Sequence, residues 1–369
     1  PVLSGIRIYA IDLNGYEVPT KSYVVTLGQL QHNAILPAGF LREGDRIGLA
    51  LQVEDYFTKA GRTLGLFSAE VWTENSGHFA FELDEIDFDD ARYINTHHDH
   101  AYAQLSKKKF QKLFKTRNNP LTIYPYEGTG TFDLNAQDSL QFSIMLRDVN
   151  GNETQHQLWV KNPHPKSAAK IAYTSATHWL PTEAYSYQTG PWQLQIDSFT
   201  FFEPVRKSLD LAAKRIGSSQ LQLAKPIALS YQLKDSINAH RYFITMNGTA
   251  LPTTFKEGKL FSSSKTLGTF GLRMDEIAPT IQNQSNNKLD TLNNGAWSWF
   301  VKDDFSGVAS YTCWQNGKWV PAYYDAKNKV IKAQFQVPFV AGTILEIRVK
   351  DAAGNVRVLQ SSTPLAPFK

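Results

Sequence analysis

Short runs of alternating apolar and polar residues, separated by Gly, Asn, Asp and Pro, recur along almost the whole chain. Alternation with a period of two is typical of half-buried strands, and turns at this spacing favour β-sandwiches over a parallel α/β sheet. Helical periodicity is scarce: residues 204–215 predict one short helix, and residues 101–114 are a weaker candidate. The sequence therefore predicts an all-β protein, with strands at 6–11, 46–53, 64–72, 141–146, 157–160, 227–232, 242–246, 297–301 and 345–350.

Two turn motifs occur twice in the chain. Residues 146–152 read LRDVNGN and residues 349–355 read VKDAAGN. In such a turn the Asp can accept hydrogen bonds from the following backbone, and the Gly can take a positive φ at low cost. Upstream, LQVEDY at 51–56 resembles FVKDDF at 300–305, each in front of a strand that carries a Trp. The repetition predicts two related immunoglobulin-like sandwiches.

The length of 369 residues suggests two to four domains, and the repeats suggest three. We predict an immunoglobulin-like sandwich over 1–162, enlarged by an insertion near 85–120. A β-rich middle domain follows over 163–278, with a hairpin turn at Asn247-Gly248. A second immunoglobulin-like sandwich is predicted over 279–369.

Composition excludes several classes of protein. Apolar residues make up 42% of the chain and charged residues 20%, so the chain can build several cores. The formal charge is only +4, and residues 107–109 form the one dense basic run. This small and scattered positive charge argues against nucleic-acid binding. No segment approaches the roughly 20 apolar residues of a membrane-spanning helix. The single cysteine, Cys313, lies in an apolar stretch and is expected to be a buried small hydrophobe.

The cluster Thr96-His97-His98-Asp99-His100 is the strongest metal-like feature. If this segment were a strand, His98 and His100 would face the same side and share a zinc or nickel ion. Nothing in the sequence fixes a third ligand, so these two histidines are weak metal candidates and an exposed polar loop is favoured.

Calcium is the alternative metal, because acidic turns stand at 54–55, 148, 303–304 and 351. Calcium takes six to eight oxygen ligands. Each sandwich offers two or three obvious carboxylates, so the sequence favours Asp as a turn residue that binds its own backbone. We therefore expect no metal and no cofactor in this chain.

Motifs for catalysis are few. The carboxylates at 84–90 could be paired as in glycosidases, but sequence does not give their separation. No G-x-S-x-G elbow and no glycine-rich phosphate loop of the usual spacing occurs.

Aromatic residues of the last domain are candidates for contact with a glycan or a protein partner. Trp297 and Trp299 alternate on one strand, which predicts a shared face and favours a place in the core. The candidates for an exposed contact surface lie in the next hairpins: Trp314, Trp319, Tyr323 and Tyr324.

Several segments, in order, resemble the C-terminal β-domain tail of lysostaphin-type (LytM-like) zinc metallopeptidases of the bacterial envelope. They are GIRIYAIDLNG at 5–15, FDDARYINTHHDHAY at 88–102, LGTFGLRMDEIAPTI at 267–281 and VKDDFSGVASYTCWQNGKWVPAYYD at 301–325, followed by VKDAAGN. These peptidases bind zinc through H-x(3)-D and H-x-H motifs. None of the nine histidines here precedes Asp by four residues, and we transfer no catalytic role onto His98-Asp99-His100, which alone matches H-x-H.

The resemblance implies that this chain is the non-catalytic tail of a peptidoglycan endopeptidase-like protein, with zinc only in a peptidase domain outside it. The tail would position the peptidase or dock an envelope protein or peptidoglycan, in the periplasm or at the outer membrane. The alternatives are a glycan-binding module and a structural subunit of an outer-membrane or secretion assembly. The opening Pro1-Val2-Leu3 is expected to be the start of a fragment or a processed chain.

Overall fold

The computed structural model describes residues 1–56, 63–74, 77–134, 138–168, 173–283, 296–334 and 342–362. Half of the chain is strand and 5% is helix, arranged in three tandem β-rich domains. The predicted all-β fold, with immunoglobulin-like sandwiches first and third, is confirmed. The boundaries at 162/163 and 278/279 remain predictions.

The first sandwich packs two sheets over one large core. One sheet has the order β2-β1-β4-β5, with β8 also paired to β4, and the other has the order β3-β10-β9-β6-β7. Strand β9 shows why the sequence folds this way, because its alternate residues Phe142, Ile144 and Leu146 are all completely buried. The strands are β1 (Val2–Ile11), β2 (Glu17–Val25), β3 (Gln31–Ile35), β4 (Arg46–Tyr56), β5 (Thr63–Leu64), β6 (Ser68–Trp72), β7 (His78–Glu82), β8 (Gln111–Lys112), β9 (Ser139–Arg147) and β10 (Glu153–Lys161).

The predicted insertion contains the two α-helices of the described chain. A 3₁₀ turn (Ala91–Tyr93) leads into α1 (Ile94–His97) and then α2 (His100–Ser106). Asp99 caps α2 by accepting a hydrogen bond from the Tyr102 N–H, and Lys107 ends it with a left-handed φ of 63°. The helix predicted over 101–114 is therefore shorter than expected, since the chain leaves it to pair β8 with β4.

The middle domain has its own core, centred on the buried Trp179, Trp192 and Phe270. Its two five-stranded sheets have the orders β12-β13-β17-β21-β20 and β15-β16-β22-β18-β19, and β11 pairs β14. A second 3₁₀ turn spans Ala239–Arg241. The strands are β11 (His178–Trp179), β12 (Tyr185–Thr189), β13 (Trp192–Ile196), β14 (Val205–Arg206), β15 (Leu209–Asp210), β16 (Arg215–Ile216), β17 (Ile227–Gln232), β18 (Tyr242–Met246), β19 (Thr249–Ala250), β20 (Thr253–Lys256), β21 (Lys259–Ser264) and β22 (Gly268–Met274).

The helix predicted over 204–215 is wrong. The segment instead forms β14, β15 and a turn in which Asp210 Oδ1 accepts a hydrogen bond from the Ala213 N–H and Lys214 takes a φ of 52°. Pairing with β11 and, through β16, with β22 outweighs the helix propensity of the segment.

The third sandwich has the sheets β23-β24-β28-β27 and β26-β25-β29-β30. In immunoglobulin notation these are the A-B-E-D and C′-C-F-G sheets. Trp297 and Trp299 lie in the core, as the sequence favoured. The strands are β23 (Thr280–Asn283), β24 (Ala296–Lys302), β25 (Val308–Gln315), β26 (Lys318–Val320), β27 (Ala322–Asp325), β28 (Val330–Gln334), β29 (Ile344–Asp351) and β30 (Val356–Ser362).

The two copies of the predicted turn, at Asp148 and at Asp351, make the same side-chain hydrogen bonds. Asp148 accepts hydrogen bonds from the N–H and the side-chain amide of Asn152, at 2.9 and 2.6 Å. Asp351 accepts the same pair from Asn355, at 2.7 and 2.9 Å. The opening prolines match as well, because Thr154 binds the carbonyl of Pro1 and Arg357 binds the carbonyl of Pro279.

Candidate functional sites

A cavity of about 140 Å³ lies between the first sandwich and the middle domain. Both domains contribute charged, amide and aromatic side chains to its walls. Thr116 Oγ1, on this wall, is buried and has no hydrogen-bond partner among the described residues. The lining residues that carry polar groups or rings are Tyr16, Glu17, Asn95, Thr96, His98, Asp99, His100, Lys112, Thr116, Phe202, Glu203, Gln220 and Gln222.

A buried ion pair supports one wall of this cavity. Arg7 Nη1 lies 3.0 Å from Asp99 Oδ2, and its guanidinium stacks 3.8 Å above the ring of Tyr102. The hydroxyl of Tyr9 donates to the same Asp99 oxygen. Burial and the Asp99 charge raise the pKa of Tyr9, so the phenol stays protonated. Asp99 therefore binds Arg7 and Tyr9 of β1 and, through its hydrogen bond from the Tyr102 N–H, joins them to α2.

A second set of charged side chains, contributed by both domains, lines the cavity. Lys112 Nζ pairs with Glu17, and Glu203 of the middle domain faces both. Burial lowers the pKa of Lys112, but Glu17, Glu203 and Asp99 together reverse this and raise it. Glu203 keeps part of its side chain open to solvent, while the surrounding protein and then Glu17 raise the pKa of its carboxyl to about 7, against the effect of Lys112.

The histidine cluster does not form the strand on which a shared metal would depend. His97 ends α1, His98 is extended and His100 begins α2, so the premise that His98 and His100 share a strand face is wrong. Among the described residues, the one group of three potential metal ligands that converge excludes them. His97 is completely buried against Phe81, and burial first, then His98 and Lys112, lowers its pKa far below 6.5.

Three carboxylates meet where the middle domain joins the third sandwich. One oxygen each of Asp275, Asp303 and Asp351 lies within 4.8 Å of the other two. Asp275 follows β22 of the middle domain, whereas Asp303 follows β24 and Asp351 ends β29 of the third sandwich. Asp275 and Asp351 are 3% and 1% exposed.

Backbone and amide groups orient these carboxylates. The Ser306 N–H donates to Asp275 Oδ2 at 3.2 Å, so a loop of the third sandwich binds a side chain of the middle domain. Asn355 Nδ2 adds a hydrogen bond to the Asp275 carbonyl at 3.2 Å. Burial, with Asp275 and Asp303 nearby, raises the pKa of Asp351 despite its hydrogen bonds from Asn355.

The aromatic candidates lie on both sheets of the third sandwich. Trp314 on β25 pairs directly with Trp319 on β26, and Arg348 lies over the ring of Trp314. Trp319 and Tyr323 are 64% and 66% exposed. Tyr324, on β27, is half-buried against Tyr311. Cys313 lies in the core, where burial raises the pKa of its thiol to about 12, in keeping with an inert side chain.

Sequence reasoning missed Asp275, Glu17 and Glu203. Asp275 stands in the segment MDEIAPTI, which repeats the Pro opening of the first sandwich, and that spacing was the available signal. Glu17 and Glu203 carry no local motif. They meet only because two domains pack against each other.

None of the described helices is long and apolar enough to cross a membrane. No family model and no curated protein matches the chain. Among solved structures, a "Ca2+-stabilized adhesin" that "helps an Antarctic bacterium reach out and bind ice" is similar over 98% of this chain and 89% of its own, at 10% identity and a TM-score of 0.19. Protocadherin Gamma B7 extracellular cadherin domains 1–4 are similar over 98% and 92%, at 8% identity and a TM-score of 0.20.

Proposed function

We propose that this chain is a non-catalytic scaffold of the bacterial cell envelope that holds a neighbouring domain or partner at a fixed place. The observation that carries the proposal is that both domain junctions are packed by side chains rather than joined by bare linkers. Such junctions limit the relative motion that is otherwise the default between domains.

The first junction combines apolar and polar contacts. Tyr93 of the insertion packs edge-on against Phe202 of the middle domain, with ring centroids 5.5 Å apart. Arg92 donates a hydrogen bond to the Ala224 carbonyl. The charged cavity lies beside these contacts, so both domains are needed to complete it.

The second junction is built around Phe305 of the third sandwich. Its ring lies 6.0 Å from that of Phe243, edge to face, and the guanidinium of Arg273 lies 4.0 Å from its centroid. Both partners belong to the middle domain. Together with the hydrogen bonds to Asp275, these contacts fix the angle at which the third sandwich leaves the middle domain.

A distance measurement between the end domains tests the scaffold. Spin labels would be attached at the exposed Gln155 of the first sandwich and the exposed Lys332 of the third, in a Cys313→Ala background. They would report the distance between the two sandwiches. We expect a narrow distance distribution by double electron–electron resonance. The control inserts Gly-Ser-Gly-Ser between Glu276 and Ile277, which should broaden it. A native distribution as broad as that of the control would contradict the proposal.

We further propose, from the sequence resemblance alone, that the scaffold serves a lysostaphin-type peptidase domain acting on peptidoglycan. The intact mass of the native product, captured with an antibody against this chain, tests this. A product about 150–250 residues longer, one further domain, is expected. A mature product of the present size would contradict it.

Glycan binding is the second candidate, favoured by the exposure of Trp319 and Tyr323 on neighbouring hairpins. Exposed aromatic rings stack on sugar rings, and large exposed apolar groups mark interaction surfaces. Co-sedimentation with purified sacculi tests this candidate. Retention that Trp319→Ala abolishes would support it, and no retention of the native chain would exclude it.

A further inference from the structure

The carboxylate cluster between the middle domain and the third sandwich is short of positive charge. Asp275, Asp303 and Asp351 belong to none of the ion pairs found among the described residues. Like charges this close repel, and two of the three carboxylates are shielded from water. A bound cation would remove this repulsion.

Hydrogen bonds orient the three carboxylates of the cluster and leave one oxygen of Asp303 without a donor among the described residues. Asp303 Oδ2 accepts hydrogen bonds from the N–H groups of Phe305 and Gly307, at 3.0 and 2.6 Å, while Oδ1 accepts none from the described residues. Ser306 Oγ is also buried and without a hydrogen-bond partner in that part of the chain, and its own N–H binds Asp275. The site therefore offers carboxylate and hydroxyl oxygens, and no His or Cys of the described residues converges with them.

By the repeat, Asp55 and Asp148 of the first sandwich correspond to Asp303 and Asp351. Among the described residues no third carboxylate converges on Asp55 and Asp148, whereas Asp275 converges on Asp303 and Asp351 at the junction. The buried Ser306 hydroxyl, to which no described residue hydrogen-bonds, is a further oxygen that a cation at the junction would use.

We propose that Asp275, Asp303 and Asp351 bind one hard divalent cation of the Ca²⁺ type, which ties the middle domain to the third sandwich. Calcium accepts oxygen ligands in irregular geometry and completes its shell with water. Zinc and other nitrogen- or sulfur-seeking metals are disfavoured by the all-oxygen set. Because the ligands come from both domains, the cation binds the docked junction and stabilises it by mass action.

The test is calorimetric titration of the chelator-treated full chain with CaCl₂, followed by thermal unfolding with and without the ion. We expect one ion at this junction and a higher unfolding temperature with calcium. Asp303→Asn can keep both turn hydrogen bonds through its amide oxygen, so it removes a charge without removing the turn. It should weaken binding about tenfold or more, since affinity follows the charge of the ligand set.

The matched control is Asp304→Asn, which changes the adjacent, exposed carboxylate that pairs with Lys302 at 2.5 Å. It should bind calcium like the native chain. The variant Asp55→Asn distinguishes calcium binding by the first sandwich from calcium binding at the junction, because it leaves the junction ligands intact. Unfolding in chelator shows whether Asp303→Asn folds. No uptake by the native chain at millimolar calcium, or equal uptake by a folded Asp303→Asn, would overturn the proposal, whatever the outcome for the scaffold function.

Discussion

Arg7 and Asp99 form an ion pair that is almost completely enclosed, with their charged atoms 3.0 Å apart and side chains 9% and 11% exposed. The pair joins the first strand of the chain to the inserted helices, and Tyr9 and Tyr102 add contacts to each partner. Removing one partner of a buried pair leaves the other charge without compensation.

We expect Asp99→Ala to reduce the free energy of unfolding of the first sandwich by about 3–5 kcal/mol. The variant leaves the Arg7 guanidinium without its counter-ion and the Tyr9 hydroxyl without its hydrogen-bond acceptor. It also removes the cap of α2. Urea unfolding followed by tryptophan fluorescence would measure this. Glu153→Ala, which breaks the exposed pair with Arg147, is the control and should cost about 1 kcal/mol or less.

Local sequence patterns are sufficient to predict structure where the interacting residues are close in the chain. The paired turns at Asp148 and Asp351 could be predicted because the Asp, Gly and Asn that build each turn are neighbours in the chain. The convergence of Asp275, Asp303 and Asp351 could not be predicted from the sequence, because each sandwich alone offers only two or three obvious carboxylates. Asp275 is contributed by a different domain, and only the packing of β22 against the third sandwich brings it to Asp303.

The helix expected at 204–215 failed for a related reason. Its spacing of apolar residues fits a helix, but the partners that convert the segment to strands, Trp179 and Thr269, lie far away in sequence. Likewise, His98 and His100 would share one face only if their segment were a strand. The cap formed by Asp99 turns the chain into α2 between them.

The buried His97 should make stability depend on pH. Its pKa is lowered in the folded chain, so on acidification the unfolded chain takes up a proton first. Stability from this group is present above the unfolded value of 6.5 and is lost as the pH falls below it. We expect His97→Phe to lose less stability than the native chain between pH 7.5 and 5.5.

Thermal unfolding at the two pH values would measure that difference for His97. The control is His240→Gln, which changes an exposed histidine and should keep the native pH response. Other buried histidines, such as His32 and His156, also have lowered pKa values, so a part of the response should persist in His97→Phe. An unchanged response would contradict the assignment.

Glu203 should change stability with pH in the direction opposite to His97. Its pKa is raised to about 7, mainly by burial and then by Glu17, so the folded chain holds this proton more tightly than the unfolded chain. The contribution is fully present below the ordinary value of 4.5 and is lost as the pH rises through about 7. Glu203→Gln should therefore gain stability relative to the native chain when the pH is raised from 5 to 8.

The effect of Glu203 should be modest, because part of the side chain is open to solvent. Differential scanning calorimetry of both chains at pH 5 and pH 8 would resolve it. Glu127→Gln, at an exposed loop position, is the control and should follow the native chain. A parallel pH response in Glu203→Gln and the native chain would show that Glu203 is already ionised well below pH 7.

Truncation of two tryptophans of the third sandwich should reduce stability to very different extents. Trp299 is completely buried in the core, so Trp299→Ala should cost about 3–5 kcal/mol in the free energy of unfolding. Trp319 is 64% exposed and contacts Trp314 across the hairpin, so Trp319→Ala should cost about 1 kcal/mol or less. Chemical unfolding of both variants would measure the difference. A large loss from Trp319→Ala would mean that its ring supports the fold, and the proposed glycan contact would then lose its observation.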